Sequence, residues 1–176
     1  MKAVGVLLAS AALALAACSQ MQSMMQKKPG AAANVLPASG SQVRGTITFT
    51  QKGDRVVVAG ELTGLAPGDH GLHIHEKGDC TAPDASSAGG HFNPSGSRHG
   101  GPGSEIRHGG DLGNITADQT GVARFTTEVS GISLGAGDGN IIGRAVIVHA
   151  KADDLQTDPS GGSGPRIGCG LIGKAD

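Results

Sequence analysis

The chain has 176 residues, a formal net charge of −1, 31 glycines, and neither Trp nor Tyr. The near-neutral balance excludes a bulk field for nucleic acid, and glycines without a three-residue period exclude a collagen-like rod. Only three Phe are present, so a core must be built from Val, Ile, Leu and Ala.

Residues 1–17 read as a secretory signal peptide. Met1-Lys2 is a short positive start, and the apolar run from Val4 to Ala17 is too short to span a bilayer. The run ends in Leu15-Ala16-Ala17-Cys18, which resembles a bacterial lipobox. Cys18 would then be lipidated and anchor the chain to a membrane; an ordinary signal with an incidental Cys is the alternative. Residues 18–40 read as a flexible tether, rich in Gln, Met, Ala and Lys and without hydrophobic period. Met21, Met24 and Met25 offer soft sulfur donors that suit Cu(I), although a polar spacer with incidental Met is the favoured reading. An exported chain meets an oxidising compartment, so Cys80 and Cys169 are expected to pair. That bridge would close a loop of about 90 residues, worth up to about 4–5 kcal/mol on chain entropy. Two buried free thiols are the alternative.

The domain proper, residues 41–176, reads as one unit of short strands. Thr46–Thr50 alternates with period two, placing Ile47 and Phe49 on one face. Val56–Val58 follows a turn signal at Gly53-Asp54. Ala123, Phe125, Thr127 and Val129 share a face, with Arg124, Thr126 and Glu128 opposite. Ala145–His149 is a β-branched run that predicts a buried strand. Turn glycines at 64, 68, 121 and 139 punctuate these runs, and no amphipathic helix is evident. The fold class is therefore all-β, an antiparallel sandwich or barrel. Two stretches fit no strand, Glu76 to Asp111 and Lys151 to Arg166. Loops this long need something other than an apolar core to pin them; a metal and a disulfide would serve.

The histidines supply the metal. His73 and His75 stand two apart on an expected strand, so their imidazoles share a face and can reach one ion. His149 ends a second strand and could join them. Imidazole-rich sites suit copper and zinc. His91, His99, His108 and Asp111 lie in the Gly-rich loop, and three imidazoles with one carboxylate match a closed tetrahedral zinc site. The pattern alone fixes neither the metals nor a shared histidine.

Longer motifs carry a resemblance. They are Gly71-Leu72-His73-Ile74-His75-Glu76, Gly90-His91-Phe92-Asn93-Pro94, His99-Gly100-Gly101-Pro102 and Arg107-His108-Gly109-Gly110-Asp111-Leu112-Gly113-Asn114. Ile141-Ile142-Gly143-Arg144 with Val148-His149, Lys151-Ala152-Asp153-Asp154-Leu155 and Gly164-Pro165-Arg166-Ile167-Gly168-Cys169-Gly170 follow. In this order, from Val43 to Gly173, they resemble copper/zinc superoxide dismutase. The resemblance implies a Greek-key antiparallel β-sandwich or flattened barrel with two long functional loops. It implies copper held by His73, His75, His91 and His149, and zinc held by His91, His99, His108 and Asp111. His91 would bridge the ions as an imidazolate and deliver a proton to product. Asp153 would link His73 to His99, fixing ligand tautomers. Arg166 would stand beside copper and attract anionic superoxide. Cys80 and Cys169 would form the family's disulfide, and His70 matches a structural histidine. The implied reaction is dismutation of superoxide to oxygen and hydrogen peroxide by one-electron copper cycling. With the lipobox, it would occur in a bacterial periplasm, on a lipid-anchored protein of the outer membrane, protecting the envelope.

The segment between Asp153 and Arg166 is shorter than in the eukaryotic enzymes and lacks their steering Glu and Lys. Arg166 or charges elsewhere must then carry more of the steering. Dimer contacts differ between bacterial and eukaryotic relatives, so monomer and homodimer both stay open. A copper-storage or delivery protein on this fold would lack a copper ligand or Arg166. A copper-only relative would lack the zinc ligands, and a purely structural lipoprotein would leave the histidines unexplained. All the residues in question are present.

Overall fold

The computed structural model describes residues 30–175. The expected signal peptide, Cys18 and Met21, Met24 and Met25 lie outside the described residues. Nine strands are present among them: β1 Ala31–Pro37, β2 Arg44–Lys52, β3 Arg55–Thr63, β4 Gly68–His75, β5 Asp111–Ala117, β6 Ala123–Val129, β7 Ala145–His149, β8 Arg166–Leu171 and β9 Gly173–Lys174. One 3-10 turn, Ser86–Ala88, is the sole helical element described.

The strands pair antiparallel in the order β5-β4-β7-β8-β1-β2-β3-β6, with β9 beside β1. β6 returns against β5, so the sheet nearly closes into a barrel. The connections β3–β4 and β6–β7 each skip two strands around that ring, which makes both crossings Greek-key. The fold class read from the sequence therefore holds.

The alternation of side chains builds the interior. Ile47 and Phe49 from β2, Val56 and Val58 from β3, and Leu72 and Ile74 from β4 are fully or almost fully buried. Val146 and Val148 from β7 join them in one apolar cluster. The Gly53-Asp54 turn closes a hairpin with Lys52 opposite Arg55. On β6, Arg124, Thr126 and Glu128 face solvent while Ala123 and Val129 are buried, as the alternation requires.

One boundary is corrected. The tether expected over residues 18–40, with the domain starting at 41, does not extend through Ala31–Pro37. That segment is β1, seated between β2 and β8. Ala31, Ala33 and Val35 are buried and the residues between them are not. Alanine has little strand preference, so the period-two signal was written in small residues and looked like spacer.

The two long loops span residues 76–110 and 150–165, between strands. The first folds over the outer side of β7 and β8. There Ala38, Ala85, Ala88, Ala145, Ile147 and Cys169 form a second, smaller apolar cluster. The Cys80–Cys169 disulfide is formed, with Cα atoms 5.9 Å apart. It fastens this loop to β8.

Candidate metal centre

β4 and β7 set the first group of ligands. With Leu72 and Ile74 turned into the barrel, His73 and His75 must point to its other side. His73 stands opposite Ile147 in the pairing of β4 with β7. His149, two residues on, therefore emerges on the same side. On the other edge of β4 the pairing with β5 slips by one residue between Gly71 and His73. The extra residue lies on β5 at Leu112-Gly113, and Gly113 takes φ +82°, a conformation open to glycine. The bulge brings Asp111 opposite His73.

His73, His75, His91 and His149 each offer one donor atom within 4.8 Å of the others. In three of these rings the second nitrogen is already committed. His73 Nε2 lies 2.7 Å from Asp153 Oδ2. His75 Nδ1 lies 2.9 Å from the Gly89 carbonyl, and His149 Nδ1 lies 3.0 Å from that of Gly164. Carboxylates and carbonyls only accept, so each of those nitrogens carries the proton. The lone pair is thereby forced onto His73 Nδ1, His75 Nε2 and His149 Nε2. These atoms, with His91 Nε2, are buried with no hydrogen-bond partner. Unpartnered buried nitrogens that converge are costly unless a cation receives them.

The second group is His91, His99, His108 and Asp111. Asp111 Oδ1 lies 2.8 Å from His91 Nδ1, 3.1 Å from His99 Nδ1 and 3.2 Å from His108 Nδ1. His108 Nδ1 and His91 Nδ1 are 3.4 Å apart. Ligand atoms about 2.0–2.1 Å from a tetrahedral ion stand about 3.3 Å from one another, so this set fits zinc. Asp111 Oδ2 is taken by the backbone N–H groups of Gly100 and His108, which leaves Oδ1 to the cluster. His91 alone turns a ring nitrogen to each group. Asp153 meets a third trio with His73 and His99, but its oxygens accept their Nε2–H groups at 2.7 and 2.8 Å and so orient ligands.

The electrostatics agree. Burial lowers His73 to about 4, His75 to about 2 and His149 to about 3, so all three are neutral donors at pH 7. The nearby Arg166 charge lowers His75 and His149 further. At His99 burial also opposes charge, yet the bonds to Asp111 and Asp153 outweigh it and raise the ring to about 10. Burial pushes the Asp111 carboxyl up, but hydrogen bonds from His91, His99 and two backbone amides hold it well below the usual range. Burial lowers His108, so in the second group it is His99, beside the Asp111 and Asp153 carboxylates, where positive charge is favoured.

A sequence model of the family described as copper/zinc superoxide dismutase matches residues 43–172. The chain belongs to the copper/zinc superoxide dismutase family. Membership makes it an oxidoreductase with superoxide as substrate and copper and zinc as cofactors. It is 47% identical over 140 residues to the superoxide dismutase [Cu-Zn] of Paramecium bursaria Chlorella virus 1, covering 76% of this chain and 74% of that one. Its fold matches the crystal structure of the clock protein EA4 with a TM-score of 0.75 and 42% identity, over 85% of this chain and 98% of that one.

Every histidine expected at the centre of this dismutase is brought to it, along with Asp111 and Asp153. His70 is kept apart, its two ring nitrogens on the carbonyls of His149 and Ala66 at 2.8 and 2.9 Å. Arg166, at the start of β8, donates to the carbonyls of Ala85 and Gly89 at 2.7 and 2.6 Å. Gly89 O also receives His75 Nδ1–H, so one carbonyl fixes the arginine beside the first group. Three supporting residues carried no role in the sequence reading. Asn114 on β5 clasps the backbone of Asp153, accepting its N–H at 2.7 Å and donating to its carbonyl at 2.9 Å. Buried Arg107 donates to the carbonyls of His108, Gly109 and Ser130. Asp158 accepts the N–H of His99. Asn114 and Arg107 lie inside the matched motifs, and that was their only signal; Asp158 had none.

Proposed function

We propose that this dismutase converts superoxide to oxygen and hydrogen peroxide with copper held by His73, His75, His91 and His149, and zinc by His91, His99, His108 and Asp111. When bound, copper supplies one-electron redox chemistry and zinc a fixed, redox-inert charge. The single observation that carries the assignment is His91, with Nδ1 in one group and Nε2 in the other. Between two cations such a ring would lose its second proton. Nε2 is then the atom that can take up a proton and hand it to a departing peroxide. Arg166 holds a permanent charge beside the first group and draws the anion in. Asp153 and the carbonyls of Gly89 and Gly164 keep the ring protons pointing away from the metals.

The setting is the bacterial cell envelope, with the chain exported behind residues 1–17 and anchored in the periplasm through lipid on Cys18. The Leu15-Ala16-Ala17-Cys18 pattern supports this reading, and so does a disulfide, which persists in oxidising compartments. Self-association as a homodimer is supported by Leu36 and Leu171, 65% and 53% exposed on strands beside the disulfide.

Metal analysis of the purified chain, paired with a superoxide-consumption assay, tests the function. About one copper and one zinc per chain with rapid consumption is expected. Near-stoichiometric metals without activity would overturn it. Arg166→Ala should lower the second-order rate at least about tenfold and flatten its dependence on ionic strength. An unchanged salt slope would remove Arg166 from steering.

A further inference from the structure

The 150–165 loop touches the metal centre through Asp153 and through the Gly164 carbonyl. A third contact reaches the same centre from this loop. The carboxylate of Asp158 accepts the backbone N–H of His99 at 2.7 Å. His99 is therefore gripped at both ends, its ring by Asp153 at 2.8 Å and its main chain by Asp158.

The loop is built to present that carboxylate. Asp154 Oδ1 accepts the N–H groups of Gln156 and Thr157, and its Oδ2 accepts the Thr157 hydroxyl. The Thr157 carbonyl receives the N–H of Gly161 at 2.7 Å, and the Gly161 carbonyl receives that of Asp154 at 2.9 Å. These bonds hold the segment 154–161 as one closed turn, with Asp158 at its tip turned toward residue 99. The next residue is held from the other side, the Gly100 N–H donating to Asp111 Oδ2 at 3.1 Å, so Asp158 and Asp111 bracket the main chain at 99–100. The segment at 99–103 is rich in Gly and Pro, and Leu155 lies over Gly101.

We propose that Asp158 is a positioning residue of the zinc site. By fixing the main chain of His99 it sets where His99 Nδ1 stands relative to Asp111, and it ties the order of the 150–165 loop to filling of that site. The inference rests on assigning His91, His99, His108 and Asp111 to zinc. Groups that hold a ligand in place typically change metal affinity 10–100-fold when removed. The acting feature is a hydrogen-bond acceptor, which an asparagine side chain also supplies.

The test uses the full chain as wild type, Asp158→Ala and Asp158→Asn, with zinc affinity from chelator competition. Exchange of the His99 backbone amide is followed by NMR in metal-free and zinc-loaded, copper-free samples. Asp158→Ala should bind zinc about tenfold more weakly and exchange the His99 amide faster in both samples. Asp158→Asn should come within about twofold of wild type and recover the protection. An Ala variant matching wild type in affinity and exchange would overturn the proposal. So would an Asn variant as weak as Ala, since charge and not the bond would then be at work. Should the Ala variant fold poorly, the Asn variant still decides: wild-type affinity supports the bond and a tenfold loss rejects it. A wild-type chain that takes up no zinc overturns the zinc assignment together with the proposal. Tight wild-type zinc with an indifferent Ala variant overturns the proposal alone.

Discussion

At the scale of single residues, the ring protons of His73, His75, His99 and His149 are placed by Asp153 and by the Gly89 and Gly164 carbonyls, and Asp153 serves two of the four. Its Oδ2 takes His73 and its Oδ1 takes His99, so one side chain sets tautomers in both groups. Space for it depends on Gly161. A Cβ there would stand 1.8 Å from Asp153 Oδ1, and the backbone has φ +62°, which L side chains rarely adopt. Asp153→Ala should weaken copper and zinc binding together, each by about 10–100-fold. Gly161→Ala should shift both affinities in the same direction by displacing the carboxylate. Chelator competition for each metal checks this. Loss confined to zinc would mean that His73 keeps its tautomer without Asp153.

At the scale of elements, the sheet was legible where side-chain size marked the period. Ile47, Phe49 and the Val run of β3 announced themselves, and so did His73 and His75, whose spacing is the strand period itself. β1 did not, because Ala31 and Ala33 carry the inward positions with too little bulk to stand out. A chain starting at Gly30 is expected to fold, whereas one starting at Gly40 loses a strand bonded on both edges and should show no cooperative unfolding transition by circular dichroism. Cooperative melting of the shorter chain would show β1 to be dispensable. The loop ligands were legible only as donor types. Nothing in the spacing of His91, His99, His108 and Asp111 states that their atoms meet; the resemblance carried that. The bulge at Leu112-Gly113 and the grips of Asn114 and Asp158 were invisible for a physical reason. Each acts on backbone groups, which every residue possesses and no sequence pattern marks.

At the scale of the whole molecule, the barrel interior is apolar and most buried titratable side chains gather in the metal centre, so pH acts on stability chiefly there. Consider the chain stripped of metal with its disulfide intact. Unfolded, its histidines titrate near 6.5. Folded, burial holds His73 at about 4, His75 at about 2 and His149 at about 3. As pH falls from 6.5 toward 4 the unfolded chain gains protons that the folded one refuses. Stability then drops by up to about 4 kcal/mol per pH unit for three such groups. His99 has the opposite sign. Its folded value is raised to about 10, so its contribution is complete below 6.5 and is lost, at about 1.4 kcal/mol per unit, as pH rises toward 10. Stability of the metal-free chain should therefore peak between these limbs, near pH 6.5. Zinc replaces the proton at His99, so zinc loading should abolish the alkaline limb while keeping the acid one, where protons compete with metal for the ligands. Denaturant midpoints measured from pH 4 to 10, with chelator and with zinc, distinguish the two profiles. An alkaline limb that persists unchanged with zinc bound would show that His99 is not a zinc ligand.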